Sequence, residues 1–129
     1  MTRARVLVAE DNPRIAGMVA TALRKEGYQV TVAHDGESAL RLANSGGYDA
    51  LLTDLRMPEL GGAVLAARAR LVHSELPVLL MTASADIAQS EVPWAAVIRK
   101  PFRIAALLEA LARTLADARA DIRNASDAL

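Results

Sequence analysis

Cysteine is absent from the 129 residues. That excludes disulfide staples and every thiolate metal site, so stability has to come from one hydrophobic core, and the length suits a single domain. No apolar run approaches membrane-spanning length, although 53% of the residues are hydrophobic, because much of that fraction is alanine. The start, Met1-Thr2-Arg3-Ala4-Arg5, lacks the apolar stretch of a signal peptide. A soluble cytoplasmic protein without a membrane partner is expected. Excess charge is lacking as well: 15 basic residues balance 15 acidic ones and no basic run stands out, so no nucleic-acid surface is indicated. There are no repeats, no low-complexity segment and no internal linker. A phosphate-binding glycine loop is also missing, since no Lys-Ser/Thr pair follows Gly61-Gly62, which reads as a turn.

What is present is an alternation of short apolar runs and amphipathic stretches. Val6-Leu7-Val8-Ala9, Val30-Thr31-Val32-Ala33, Ala50-Leu51-Leu52-Thr53, Val78-Leu79-Leu80-Met81 and Ala96-Val97-Ile98 read as strands, short and apolar enough to be covered on both faces. The first helix is capped by Asn12-Pro13, carries Ile15, Met18, Val19, Ala22 and Leu23 on one face, and stops at Gly27. Asp35 caps a second helix with Ala39, Leu40, Leu42 and Ala43 inward, closed by Gly46-Gly47. A third helix is expected from Gly62 to Val72 with Val64, Leu65 and Leu71 inward. The fourth, near Asp86 to Glu91, is short and interrupted by Pro93. The fifth carries the stripe Ile104, Leu107, Leu108, Leu111 and Leu115. From Asp117 the chain turns polar and is expected to fray, which divides it into a domain at 1–118 and a tail at 119–129.

Strands alternating with helices imply an α/β fold with a parallel sheet covered on both faces. Five such units match the flavodoxin-like, doubly wound strand order 2-1-3-4-5, in which ligands bind beyond the carboxyl ends of the strands, at the switch point between strands one and three. The sequence becomes specific at those ends. Strand one leads into Glu10-Asp11, strand three delivers Asp54, strand four ends at Thr82 and strand five runs into Lys100. Three clustered carboxylates raise one another's pKa unless a cation sits among them. Hard divalent ions, magnesium in particular, take such oxygen ligands together with water and phosphate oxygens. A carboxylate can also act as a nucleophile and form an aspartyl phosphate. With an amine and a hydroxyl nearby, the set points to metal-assisted phosphorylation of an aspartate.

These residues resemble the response-regulator receiver domains (chemotaxis-regulator-like) of two-component signal transduction. The resemblance rests on Glu10-Asp11, Asp54 with Met57-Pro58 and Gly62, Thr82-Ala83 and Lys100-Pro101-Phe102, and it covers nearly the whole chain. It implies that Asp54 is the phosphoacceptor, supplied by a histidine kinase, a phosphotransfer protein or a small phosphodonor. It implies that Asp11, Asp54 and the backbone carbonyl of Arg56 ligate Mg2+, with Glu10 acting through water. Thr82 and Lys100 would hold phosphoryl oxygens, and the Lys100-Pro101 bond would be cis. Such a domain is a phospho-acceptor that assists its own phosphorylation and dephosphorylation, not a conventional enzyme. It would pass its signal to an unknown downstream protein, either as a stand-alone receiver or as the receiver piece of a hybrid kinase.

The alternative is a pseudo-receiver, an interaction module independent of phosphate, against which the intact acid, threonine and lysine set argues. A flavin-binding domain of this fold would need a Ser/Thr/Gly-rich loop after strand one, where Glu10-Asp11-Asn12-Pro13 would repel phosphate. A metal-dependent phosphatase would need a substrate pocket and a base that the chain does not offer. One departure from the family is Val97, three positions before Lys100, where receivers usually carry an aromatic residue. His34 and His73 read as surface or loop histidines, and Trp94 as a partly buried packing residue or a partner-binding anchor.

Overall fold

A computed structural model describes residues 3–127. It contains β1 (Arg5–Ala9), α1 (Pro13–Lys25), β2 (Gln29–Ala33), α2 (Gly36–Ser45), β3 (Ala50–Asp54), α3 (Gly62–Val72), β4 (Val78–Thr82), α4 (Ala85–Glu91), β5 (Ala96–Arg99) and α5 (Ile104–Asp127). All strand pairings are parallel and the order is β2-β1-β3-β4-β5, as the alternation of elements implies.

Successive strand residues point to opposite faces, and that period sorts the core into two halves. Val6, Val8, Leu52, Leu79 and Met81 meet Val19 and Leu23 of α1 and Leu107, Leu111 and Leu115 of α5. Leu7, Leu51, Val78 and Leu80 meet Ala39 and Ala43 of α2, Leu65, Ala66 and Ala69 of α3, and Ala88 of α4. β1, β3 and β4 are therefore buried on both sides, which is why they read as continuous apolar runs.

Local chemistry sets the helix ends. The Asn12 side chain accepts from the Arg14 and Ile15 amides at 2.9 and 3.2 Å, with Pro13 in the first turn. Gly27, at φ +95°, closes α1: the Tyr28 amide reaches back to the Leu23 carbonyl at 3.1 Å. Asp35 accepts from the Ser38 amide at 2.8 Å to start α2.

Two expectations about helices need correction. In α3 only Leu65 of the named residues points inward, beside Ala66 and Ala69; Val64 is 44% exposed and Leu71 85%. The helix is apolar nearly all round, so its periodicity does not choose a face, and the close approach of Gly62 to β3 does. In α1 the inward residues are Ala16, Val19, Ala20 and Leu23, whereas Met18 is exposed. The small alanines let the helix sit close on the sheet and turn the bulky methionine out. α5 runs to Asp127, through the stretch expected as a polar tail, where Ala and Arg are good helix formers. Residues 1–2 and 128–129, the ends of the expected domain and tail, lie outside the described residues.

Candidate functional site

β1 has β2 on one side and β3 on the other, so the chain leaves their carboxyl ends in opposite directions and opens a crevice. Backbone hydrogen bonds extend the ladders past the strand ends and fix what lines it. The Glu10 amide donates to the Ala33 carbonyl at 3.0 Å, Leu55 to Met81 at 3.2 Å, and Lys100 to Thr82 at 2.8 Å. Glu10, Asp54, Thr82 and Lys100 are thereby held on one edge by four different strand ends.

The centre of the cluster is a buried ion-pair network. Lys100 Nζ lies 2.9 Å from Glu10 Oε1 and 3.2 Å from Asp54 Oδ2. The other Glu10 oxygen, Oε2, accepts from the Asn12 amide at 3.2 Å, so both oxygens of this fully buried carboxylate are engaged. Burial pushes the Glu10 carboxyl up, and the bonds from Lys100 and Asn12 only partly offset this. For Lys100, burial pulls downward, but the bond to Glu10 and the charge of Asp54 outweigh it and the ammonium is held above its ordinary value. Lys100 is therefore cationic, and Glu10 depends on it.

One carboxylate oxygen each from Glu10, Asp11 and Asp54 lies within 4.8 Å of the others. Glu10 is enclosed, Asp54 is 9% exposed and Asp11 is open to solvent. This donor set is all hard oxygen and carries surplus negative charge, which fits Mg2+ rather than a softer metal. Thr82 is buried at the rim, and its Oγ1 accepts from the Ser84 amide at 2.9 Å, which leaves the hydroxyl proton able to donate elsewhere. The Arg56 amide points at Asp54 Oδ1 from 3.4 Å, while its side chain is exposed. Lys100-Pro101 is cis.

Two contributors were not recognisable from their own positions. Asn12, read as a helix cap, also holds Glu10 through its amide. Gly62, expected as the start of the third helix and as part of the family resemblance, packs so closely on β3 that a Cβ there would overlap the Asp54 carbonyl oxygen. The signal for the first was the i, i+2 spacing to Glu10; for the second it was the family resemblance, while nothing local in the sequence disclosed the contact. His34 lies in the loop after β2, exposed, with Nδ1 3.3 Å from the Glu10 carbonyl. His73 ends α3 with Nε2 3.3 Å from the Asn44 carbonyl. Trp94 lies away from the cluster, 42% exposed, with the Arg70 guanidinium carbon 3.8 Å from its ring centre. Val97 is half-buried and packs against the half of the core that lies under α2, α3 and α4.

Comparison with known proteins agrees with this picture. A model of the response regulator receiver domain matches residues 6–112. YkoG, an uncharacterized transcriptional regulatory protein of Bacillus subtilis (strain 168), is 35% identical over 112 residues, covering 84% of this chain and 49% of that protein. The chain thus spans about half of YkoG's length. The response regulator receiver protein CpdR of Brucella abortus (strain 2308) is 35% identical over 115 residues, 86% of this chain and 96% of CpdR. Among solved structures, the Vibrio cholerae chemotaxis protein CheY4 superposes with a TM-score of 0.79 at 28% identity, covering 88% of this chain and 99% of that one. Among the described residues, no helix is long and apolar enough to cross a membrane.

Proposed function

Because the chain belongs to the response regulator receiver family of two-component systems, we propose that it is a phosphorylatable switch in which Asp54 is the acceptor. The observation that carries this reading is the position of Asp54: its Oδ2 lies 3.2 Å from Lys100 Nζ, at the strand edge shared with Glu10, Asp11 and Thr82. An Asp54 carboxylate oxygen attacks the phosphorus of a phosphohistidine or acyl phosphate. A carboxyl-phosphate bond forms, the bond from phosphorus to the donor atom breaks, and the donor leaves with its electron pair. Lys100 then pairs with the added phosphoryl oxygens, and the Thr82 hydroxyl donates to one of them. Asp11, Asp54 and the Arg56 carbonyl would hold Mg2+, which neutralises charge building on the phosphoryl oxygens. Glu10 holds Lys100 directly and reaches the metal through water. The phosphodonor is a histidine kinase or phosphotransfer protein, and the protein acts in the cytoplasm without direct contact to nucleic acid or membrane.

The test is incubation with acetyl phosphate and magnesium, followed by mass spectrometry of the intact chain. One phosphoryl group is expected, absent in Asp54→Asn. Labelling of the Asn variant equal to the parent overturns the reading. Asp11→Ala should weaken Mg2+ binding by about tenfold or more, since it removes a charged ligand; an unchanged titration would remove Asp11 from the site.

A further inference from the structure

Six large hydrophobic side chains are exposed among the described residues; Val64 and Leu71 stand on α3 and Ile87 on α4, while Val72 and Trp94 line two separate hollows. Patches of this kind mark interaction surfaces. The shape follows from helix geometry. At 3.6 residues per turn, Val64 and Leu71 share one side of α3, opposite the sheet-facing Leu65, Ala66 and Ala69. They form a crest. α3 leans on α2 but not comparably on α4, which is only seven residues long and rests on β4 and β5. A groove of about 370 Å³ is left between α3 and α4; Leu55, Met57, Pro58 and Val64 supply most of its wall, and the exposed Arg56 and Glu91 line it as well.

The charges around this groove select its occupant. Arg68 stands on the rim of the crest away from α4, and Glu91 on the α4 wall. Both are exposed and neither is in an ion pair among the described residues. Each is the seventh residue of its helix, so both stand about 9 Å from the helix start, and both helices start at the carboxyl edge of the sheet. A patch with an apolar ridge, an adjacent groove whose wall is mostly apolar, and the opposite charges of Arg68 and Glu91 at matched depth is complementary to itself under a two-fold axis running along the groove. That axis seats the Val64–Leu71 crest of one copy in the groove of the other and brings Arg68 of the partner subunit over Glu91, twice. An axis across the groove would instead lay α3 on α3 and put two Arg68 side chains together, a like-charge contact.

We propose that the α3–α4 face is a homodimer interface of this chain, held by reciprocal Arg68–Glu91 pairs around a Val64, Leu71 and Ile87 centre. The patch is small, so the association is weak and concentration-dependent. The inference does not depend on phosphorylation of Asp54.

The experiment is sedimentation velocity on the full 129-residue chain from micromolar to millimolar concentration, with circular dichroism to verify folding. The parent should show a monomer–dimer equilibrium. Arg68→Glu and Glu91→Arg, each creating like-charge contacts, should each weaken dimerisation by about tenfold or more. The double variant carrying both changes should recover the parent's affinity, which loss of a merely local contact would not do. Leu71→Ser should weaken association without altering the fold. A parent that stays monomeric at millimolar concentration overturns the proposal and leaves the face to a different partner. Dimerisation indifferent to the single variants, or not restored in the double variant, overturns it equally.

Discussion

Lys100 Nζ reaches Asp54 Oδ2 at 3.2 Å although β5 and β3 are not neighbours. β4 lies between them, and the lysine side chain spans its end, above Thr82. The same ammonium bonds Glu10 at 2.9 Å, so one cation ties β1, β3 and β5 together at the mouth of the site. In this state Lys100 neutralises the carboxylates that Mg2+ would also neutralise. The two cations compete, and Lys100→Met should therefore bind Mg2+ more tightly than the parent, by about three- to tenfold. Isothermal titration calorimetry measures this directly. Weaker binding in the variant would mean that the lysine assembles the metal site rather than competing with it. The variant should also lose stability in the absence of magnesium, by about 1–3 kcal/mol, because the buried Glu10 charge loses its partner.

Two glycine-to-alanine changes should have opposite signs. At Gly62 a Cβ would overlap the Asp54 carbonyl oxygen, so Gly62→Ala has to push α3 off the sheet and should cost about 2–4 kcal/mol. Gly17 lies on the exposed side of α1, and a methyl group added there would meet no atom within 4 Å, so Gly17→Ala should stabilise by about 0.5–1 kcal/mol. Urea denaturation of both variants measures the pair. A neutral Gly62→Ala would show that the approach of α3 to β3 is not tight in solution.

The lifetime of the aspartyl phosphate should depend on Arg56 more than on Ser84. Each stands two positions beyond a site residue, where it would border the approach of water to Asp54. Arg56 is long and exposed next to Asp54, whereas Ser84 is small and its amide is tied to Thr82 Oγ1 at 2.9 Å. Arg56→Ala is expected to change the dephosphorylation rate severalfold, and Ser84→Ala by less than about twofold, since only the arginine can shield the group or orient water. Decay of radiolabelled phosphoprotein measures both. Equal rates for parent and both variants would exclude Arg56 from the water path.

Phosphorylation should be read out through residues 83–94 rather than through a swinging ring at position 97. Val97 has a single side-chain torsion of its own and no ring to gate a pocket. α4 has seven residues, no side-chain cap and only Ala88 buried within it, which marks a weakly held element. Trp94, stacked on Arg70, reports on it. Beryllofluoride with magnesium should change Trp94 fluorescence and amide exchange across 83–94. A silent Trp94 with unchanged exchange would place the output elsewhere, for example on α1.

The sequence alone determined the strand–helix alternation, the parallel order, and the delivery of Glu10, Asp11, Asp54, Thr82 and Lys100 to strand ends. These are legible because strand period, caps and breaks are set by sterics and hydrogen bonds among near neighbours in the chain. The brevity of α4 was legible for the same reason, through Pro93. Only the tertiary structure decided that Glu10 spends one oxygen on Lys100, 90 residues away, and the other on Asn12. The face of α3 that meets the sheet was likewise undecided by a helix apolar on most sides; the contact of Gly62 with the Asp54 carbonyl chooses it and turns Val64 and Leu71 outward. The placement of Trp94 on Arg70 belongs to the same class. Such pairings depend on which strand ends the sheet order brings side by side, and no local period in the chain encodes a distance across the sheet.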